Sequence, residues 1–232
     1  YLIEETNRYF PSVQLTSQKI ISTYAGLRPL YQENKNGSMT ASQVSRKFKA
    51  LESPDRVFNL VGGKLTTARV NAEQALERVL KKYFLKKKVK KTKRMKFVFN
   101  QYKSLKKLKQ LCLQQLPADF PPETADVWIE RYGSRVLEII KPNQTPQKWC
   151  QDYAFYDWEA EYIIKNELVT HLKDCFFRRT RLGQLAPHEI SSLSEYLKPL
   201  CIAQFGWNSK RWEEEIAMLN SEIKKMLPSA EG

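Results

Sequence analysis

The run from Lys81 to Lys109 carries fourteen lysines and arginines and no acidic residue. No compact core can absorb it, because each charge would have to leave water without a partner. The run also holds the whole formal charge of +14, since the remaining residues comprise 25 basic and 25 acidic ones. It therefore divides the 232-residue chain into three parts. These are residues 1–83, a Lys-rich linker at 84–109, and residues 110–232.

The first part mixes strand and helix signals. Leu2, Ile3, Tyr9 and Phe10 give the end of a helix an apolar face, and Pro11 stops it. Ile20 to Leu30 is β-branched and aromatic up to Gly26, which predicts a strand ending in a turn. Residues 31–43 are polar around Asn36-Gly37 and read as an exposed loop or hairpin tip. Val44 to Leu51 is a candidate short strand, and a second strand occupies about 56–61. From about Thr67 to Tyr83, Ala72, Ala75, Leu76, Val79, Leu80 and Tyr83 keep helical spacing on one face. Three strands and two helices in this length cannot close a sheet, so the expected partners lie upstream of Tyr1.

From residue 110 onward the pattern is helical. Pro122 to Tyr132 is one helix closed by Gly133, and Ser134 to Ile140 is another. Asp157 to about Arg179 is helical with a break near Thr170, and Gly183 is the expected stop. Pro187 to Gln204 and Asn208 to Met226 are separated by Gly206, a residue suited to the left-handed position after a helix. The expected fold class is thus an α+β fragment, in which an incomplete α/β remnant at 1–83 precedes an all-α helical domain at 110–232.

Several function classes lose support from composition. Cys112, Cys150, Cys175 and Cys201 form no CxxC pair, and His171 and His188 are the only histidines. That argues against a zinc site and for reduced thiols of a cytosolic protein. No apolar run approaches the roughly 18 residues of a membrane span, and no signal peptide is evident. The sequence opens in mid-pattern without an initiator methionine, as a piece of something longer would.

The stretch with most chemistry is Arg56 to Arg69, RVFNLVGGKLTTAR. A β-prone run meets Gly62-Gly63, followed by Lys64, Leu65, Thr66, Thr67 and a helix. Such an arrangement brings bare backbone and a helix N-terminus to an anionic or electron-rich ligand. Neither GxxxxGK[ST] nor GxGxxG is present, so a phosphate-binding loop or a dinucleotide fingerprint is excluded for this stretch. A glycine pair after a strand is also an ordinary connection, and spacing alone does not separate the two readings.

Three blocks together resemble FAD-dependent, quinone-linked glycerol-3-phosphate dehydrogenase and the related alpha-glycerophosphate oxidases. They are Ser22-Thr23-Tyr24-Ala25-Gly26-Leu27-Arg28-Pro29-Leu30, Gly62-Gly63-Lys64-Leu65-Thr66-Thr67-Ala68-Arg69, and Arg178-Arg179-Thr180-Arg181-Leu182-Gly183. Arg131-Tyr132-Gly133-Ser134-Arg135 and Phe205-Gly206-Trp207 support them. The resemblance covers nearly all of the chain except the Lys-rich run. The family's N-terminal half, with GxGxxG and most of the flavin site, is not in this sequence, so the match is to the C-terminal portion.

The resemblance implies oxidation of sn-glycerol 3-phosphate to dihydroxyacetone phosphate by hydride transfer to FAD, with electrons passed to quinone. In the oxidases the acceptor is oxygen instead. It implies Arg28, Arg46 and Lys64 as substrate-binding residues, with Arg46 matched by context only. Gly62, Gly63, Lys64, Leu65, Thr66 and Thr67 become the flavin-facing stretch. Thr66 or Thr67 would cap the helix, with a backbone N–H toward the flavin C2 carbonyl. A lysine and a helix N-terminus suit the charge that reduction puts on that edge of the ring. FAD is expected in the complete enzyme and not on this fragment, which should be inactive alone. The resemblance assigns no catalytic base here. It implies a cytoplasmic enzyme, peripheral on the inner face of the cell membrane.

The Lys-rich run has three readings. Its lysines alternate with aromatics, and Lys86, Lys87, Lys88, Lys90, Lys91 and Phe97 suit an anionic bilayer surface. A solvated linker and a nucleic-acid-binding module are the alternatives. Arg178, Arg179 and Arg181 read first as structural charges at a helix C-terminus. His171 reads as packing or surface, and Trp128, Trp149, Trp158, Trp207 and Trp212 as core. The helical domain is also a candidate surface for docking the enzyme to itself or to a partner.

Overall fold

The computed structural model describes residues 1–27, 30–31, 47–84, 92–93, 95, 102, 104–118, 120–142 and 144–228. The chain forms two compact units. One comprises residues 1–24 with 98–232, and the other residues 25–97. The first 24 residues thus group with the C-terminal helices, where the sequence suggests 1–83 as one part.

Those residues begin with helix α1 (Leu2–Tyr9), which Phe10 ends. Its side chains bury little, and Leu2, Tyr9 and Phe10 are exposed. The expected strand from Ile20 does not form in the described residues, where 21–27 has no regular structure. Ser22 Oγ instead donates to the Gln184 carbonyl at 2.7 Å, and Thr23 N–H to the Met226 carbonyl at 2.7 Å. Ile20 takes the extended backbone its side chain favours, φ −75° and ψ 116°, but helix-end carbonyls take the place of a neighbouring strand.

The smaller unit holds strands β1 (Lys49–Glu52) and β2 (Phe58–Val61), an antiparallel pair with Lys49 opposite Val61 and Glu52 opposite Phe58. A 3₁₀ turn at Leu65–Thr67 leads into helix α2 (Ala68–Tyr83). Only Ala75 of α2 is buried; Leu76 is 48% exposed. The apolar face read from the sequence exists, but this unit's described residues cover half of it.

The larger unit continues with α3 (Leu105–Leu113), α4 (Pro122–Tyr132) and the short α5 (Val136–Ile139). A small antiparallel hairpin follows, β3 (Lys148–Cys150) and β4 (Phe155–Tyr156), then α6 (Asp157–Asn166). After a π-helical turn at Asp174–Arg179 come α7 (Leu182–Leu185), α8 (Ile190–Phe205) and α9 (Ser209–Met226). The unit is therefore mostly helical but not all-α, because of the hairpin. Glu189 fixes that hairpin by accepting the Gln151 and Asp152 N–H groups at 2.8 and 3.0 Å.

Helix α6 organises this unit. Trp158 and Tyr162 enter one apolar cluster with Leu108, Cys112, Trp128, Val136 and Ile139. Ala160, Ile163 and Ile164 enter a second with Trp149, Leu172, Phe176, Leu197, Trp212 and Leu219. Apolar side chains on two sides of this one helix are buried in different clusters, and fully burying one Leu or Ile contributes about 1.5–3 kcal/mol. Four of the five tryptophans are buried in these clusters, and Trp207 packs on the second. All four cysteines are buried and free. Burial pushes the Cys112 thiol up to about 11.

The break expected near Thr170 is present, since α6 ends at Asn166 and helical backbone resumes at Leu172. Leu168 there takes a left-handed backbone, φ 52°. The Asp174 carboxylate restarts the chain by accepting Thr170 N–H at 3.1 Å, Thr170 Oγ at 3.0 Å and His171 N–H at 2.9 Å. His171 is consequently outside α6, and its Nδ1 lies 2.9 Å from Glu215 Oε1. Gly183 does not end a helix. It is buried inside α7, where an added Cβ would stand 2.4 Å from the Phe177 ring.

Two outcomes follow. Gly183→Ala must displace a packed ring and should cost about 1–3 kcal/mol, read as a lower denaturation midpoint by far-UV circular dichroism; an unchanged midpoint refutes the packing argument. Burial alone would raise the Asp174 pKa, but the donated hydrogen bonds prevail and it lies below its ordinary 3.8. A depressed carboxylate stabilises fully above its unfolded pKa and loses that contribution as pH falls through the folded one. Asp174→Asn should therefore be less stable than the parent at pH 7, with the gap closing below about pH 4. A gap independent of pH contradicts this.

Candidate functional site

The glycine pair sits where β2 must hand over to α2. Gly62 and Gly63 have φ of 72° and 87°, two successive left-handed positions that a side chain would strain. Lys64 follows with extended backbone, φ −95° and ψ 143°, and the 3₁₀ turn begins. An added Cβ on Gly63 would lie 2.8 Å from Asn71 Nδ2 and 2.9 Å from Phe48 Cβ. The bare backbone there is thus a packing requirement as well as a conformational one.

The far end of α2 is anchored to the hairpin. Phe58 meets the Tyr83 ring edge-on at 6.1 Å between centroids. Lys82 and Tyr83 both donate to the Glu52 carboxylate. The Lys82 hydrogen bond, then that of Tyr83, hold Glu52 below the usual carboxylate range. With the C-terminus of α2 held to β1 and β2, its N-terminus is set beside the glycine turn.

A cavity of about 630 Å³ opens there, lined by Lys47, Phe48, Gly63, Lys64, Thr67, Asn71 and Gln74. Lys64 and Thr67 are exposed at its rim. The threonines do not cap α2 through their side chains. Thr67 Oγ donates to the Lys64 carbonyl at 2.9 Å and accepts from Asn71 Nδ2 at 3.1 Å. Thr67 therefore fixes the Lys64 backbone rather than the helix amides. Leu65 is 92% exposed, and Leu65 and Thr66 are not among the residues lining the cavity.

Sequence alone does not single out Lys47, Phe48, Asn71 and Gln74. Asn71 and Gln74 lie four and seven residues after Thr67, on one helix face, and that polar stripe was the available signal. Arg28 and Arg46 lie outside the described residues, as do Lys86, Lys87, Lys88, Lys90, Lys91 and Phe97. Arg178, Arg179 and Arg181 belong to the other unit. Also there, Asp152, His188 and Glu189 bring ligand atoms within 4.8 Å of one another, but Asp152 and His188 are exposed, and Glu189 serves the hairpin turn. Among the described residues, no helix is long and apolar enough to cross a membrane.

The sequence model of the C-terminal domain of alpha-glycerophosphate oxidase matches residues 57–212, from β2 into α9. A protein of Dictyostelium discoideum named "Probable glycerol-3-phosphate dehydrogenase, mitochondrial" is 24% identical over 97% of this chain and 36% of its own length. The "Aerobic glycerol-3-phosphate dehydrogenase" of Staphylococcus aureus is 30% identical over 78% of this chain and 33% of its own length. These relatives are oxidoreductases, and this chain spans about a third of their length. It belongs to the alpha-glycerophosphate oxidase and glycerol-3-phosphate dehydrogenase family and corresponds to its C-terminal portion.

The turn itself is testable. Gly63→Ala should destabilise the smaller unit, through left-handed strain and two close contacts, by about 1–3 kcal/mol. Faster amide hydrogen exchange confined to Phe58–Val61 and the first turns of α2 would be the readout; unchanged exchange would contradict it.

Proposed function

We propose that the Gly63–Lys64–Thr67 cavity is one wall of a flavin and substrate site. The complete enzyme would oxidise sn-glycerol 3-phosphate to dihydroxyacetone phosphate and pass electrons to a quinone. The observation that carries this reading is a cavity built on a side-chain-free turn, with a lysine at its rim, in a chain of this family. Gly63 lines that cavity, and its missing Cβ lets Phe48 and Asn71 pack against the turn and hold its backbone in place.

Gly63 and Thr67, which line the cavity, would hold the flavin, with Gly62, Leu65 and Thr66 setting the backbone on either side of them; the flavin when bound supplies the two-electron acceptor for the substrate's C2. Lys64 supplies positive charge beside the ring and the substrate phosphate. Thr67 orients Lys64 through the bond to its carbonyl, and Asn71 holds Thr67. Arg28 and Arg46 are proposed to bind the phosphate with their guanidinium forks. The description of the matching family model favours one second reading, in which oxygen is the acceptor.

The test uses this chain joined to the upstream half of the enzyme. Lys64→Ala should lower turnover with glycerol 3-phosphate by about 100-fold while leaving the denaturation midpoint within about 0.5 kcal/mol of the parent. A variant that unfolds but keeps its turnover per folded molecule gives Lys64 a structural role only. A colourless or inert joined protein removes the assignment altogether. Peroxide formed under air selects oxygen as acceptor, and reduction of a quinone analogue selects quinone.

A further inference from the structure

The Arg178-Arg179-Thr180-Arg181 motif takes no part in the Lys64 cavity, yet its backbone is unusual. Arg178 and Arg179 end a π-helical turn, a rare form that occurs mostly as single-turn bulges and is frequent at functional sites. Two residues later Arg181 takes the left-handed conformation, φ 62° and ψ 11°, which a side chain adopts at a cost. Thr180 locks the turn between them. Its Oγ donates to the Cys175 carbonyl at 2.9 Å and accepts Leu182 N–H at 3.3 Å.

These features place Arg178, Arg179 and Arg181 with Arg131 around one pocket of about 380 Å³, in which Glu167 is the one acidic lining residue. The size lies within the range of small-ligand sites. Arg131 is committed, since it reaches Glu159 at 2.8 Å and the Ala154 carbonyl at 2.7 Å and lies 3.7 Å from the Phe155 ring centroid. Arg178 is committed to Asp174. Arg179 has only a long contact to Glu167, at 3.8 Å. Arg181 has a 3.5 Å contact from Nε to Gln184 Oε1 and, among the described residues, no carboxylate at ion-pair distance. Two guanidinium forks therefore face a concave pocket with their bidentate capacity largely unused.

We propose that this pocket is a second anion site, binding a soluble phosphomonoester or inorganic phosphate through Arg179 and Arg181, with Arg131 and Arg178 as fixed background charge. The proposal is independent of the glycerol 3-phosphate reading of the Lys64 cavity. A pocket of this size favours a small molecule over an acidic protein segment, which would need an open groove.

The test follows arginine Nε–H resonances of the full 232-residue chain during titration with inorganic phosphate and with glycerol 3-phosphate, against sodium chloride at equal ionic strength. Saturable shifts of two arginines with both phosphates and not with chloride are expected. Arg181→Asn, which tolerates the left-handed backbone, should weaken binding by about tenfold, and Arg179→Gln should do likewise. Lys64→Ala should leave it unchanged. Equal shifts with chloride (an adventitious ion only), binding insensitive to both arginine variants, or binding lost in Lys64→Ala would overturn the proposal. So would a glutamate-rich peptide that binds where phosphate does not, which would assign the pocket to a protein segment.

Discussion

One buried carboxylate ties the larger unit together. Glu159, fully buried near the start of α6, accepts from Arg131 at 2.8 Å, from the Tyr132 hydroxyl at 3.1 Å and from Tyr156 N–H at 3.0 Å. Burial pushes its pKa up, and the Arg131 charge works against that. A lone carboxylate in that position would be strongly unfavourable, so α4 must stay docked for α6 to stay buried. The same contacts raise the Tyr132 pKa, chiefly through burial and then through the charge on Glu159. Both apolar clusters meet along α6, so this one ionic contact conditions the packing of each.

The smaller unit rests on different physics. Its hairpin and helix bury few apolar side chains, and Ala75 is the buried residue of α2. Order at the cavity comes from backbone geometry, through two left-handed glycines and the chain of hydrogen bonds from Asn71 through Thr67 to Lys64. Geometry of that kind positions a backbone closely without requiring a large core. The exposed Val70 and Leu76 are what a helix shows when its own unit covers only part of its apolar face.

Much of this was legible in the sequence because its signals are local. Pro122 and Gly133 bracket α4, Gly206 ends α8 in the left-handed conformation, and Asn208 caps α9 by accepting Arg211 N–H at 2.9 Å. The strand, glycine turn and helix of 57–83 are likewise contiguous. Features set by distant residues were not legible. The β3–β4 hairpin has strands of three and two residues, below any periodicity, and depends on Glu189 nearly forty positions away. Ile20 and Ile21 signal a strand, but the partners they find are the ends of other elements. Gly183 looks like a stop until Phe177 is seen above it. At the site, Lys64 and Thr67 belong to the readable stretch, whereas Phe48 reaches the cavity only through the pairing of β1 with β2.

The buried cysteines give the larger unit a built-in chemical record of its own opening. Cys112 lies in the cluster around Trp128, while Cys150, Cys175 and Cys201 lie in the cluster around Phe176. Burial suppresses the thiolate form at all four, and thiolate is the reactive species. Alkylation of this unit at neutral pH therefore waits on exposure of a core, and which cysteine is modified first tells which half has come apart.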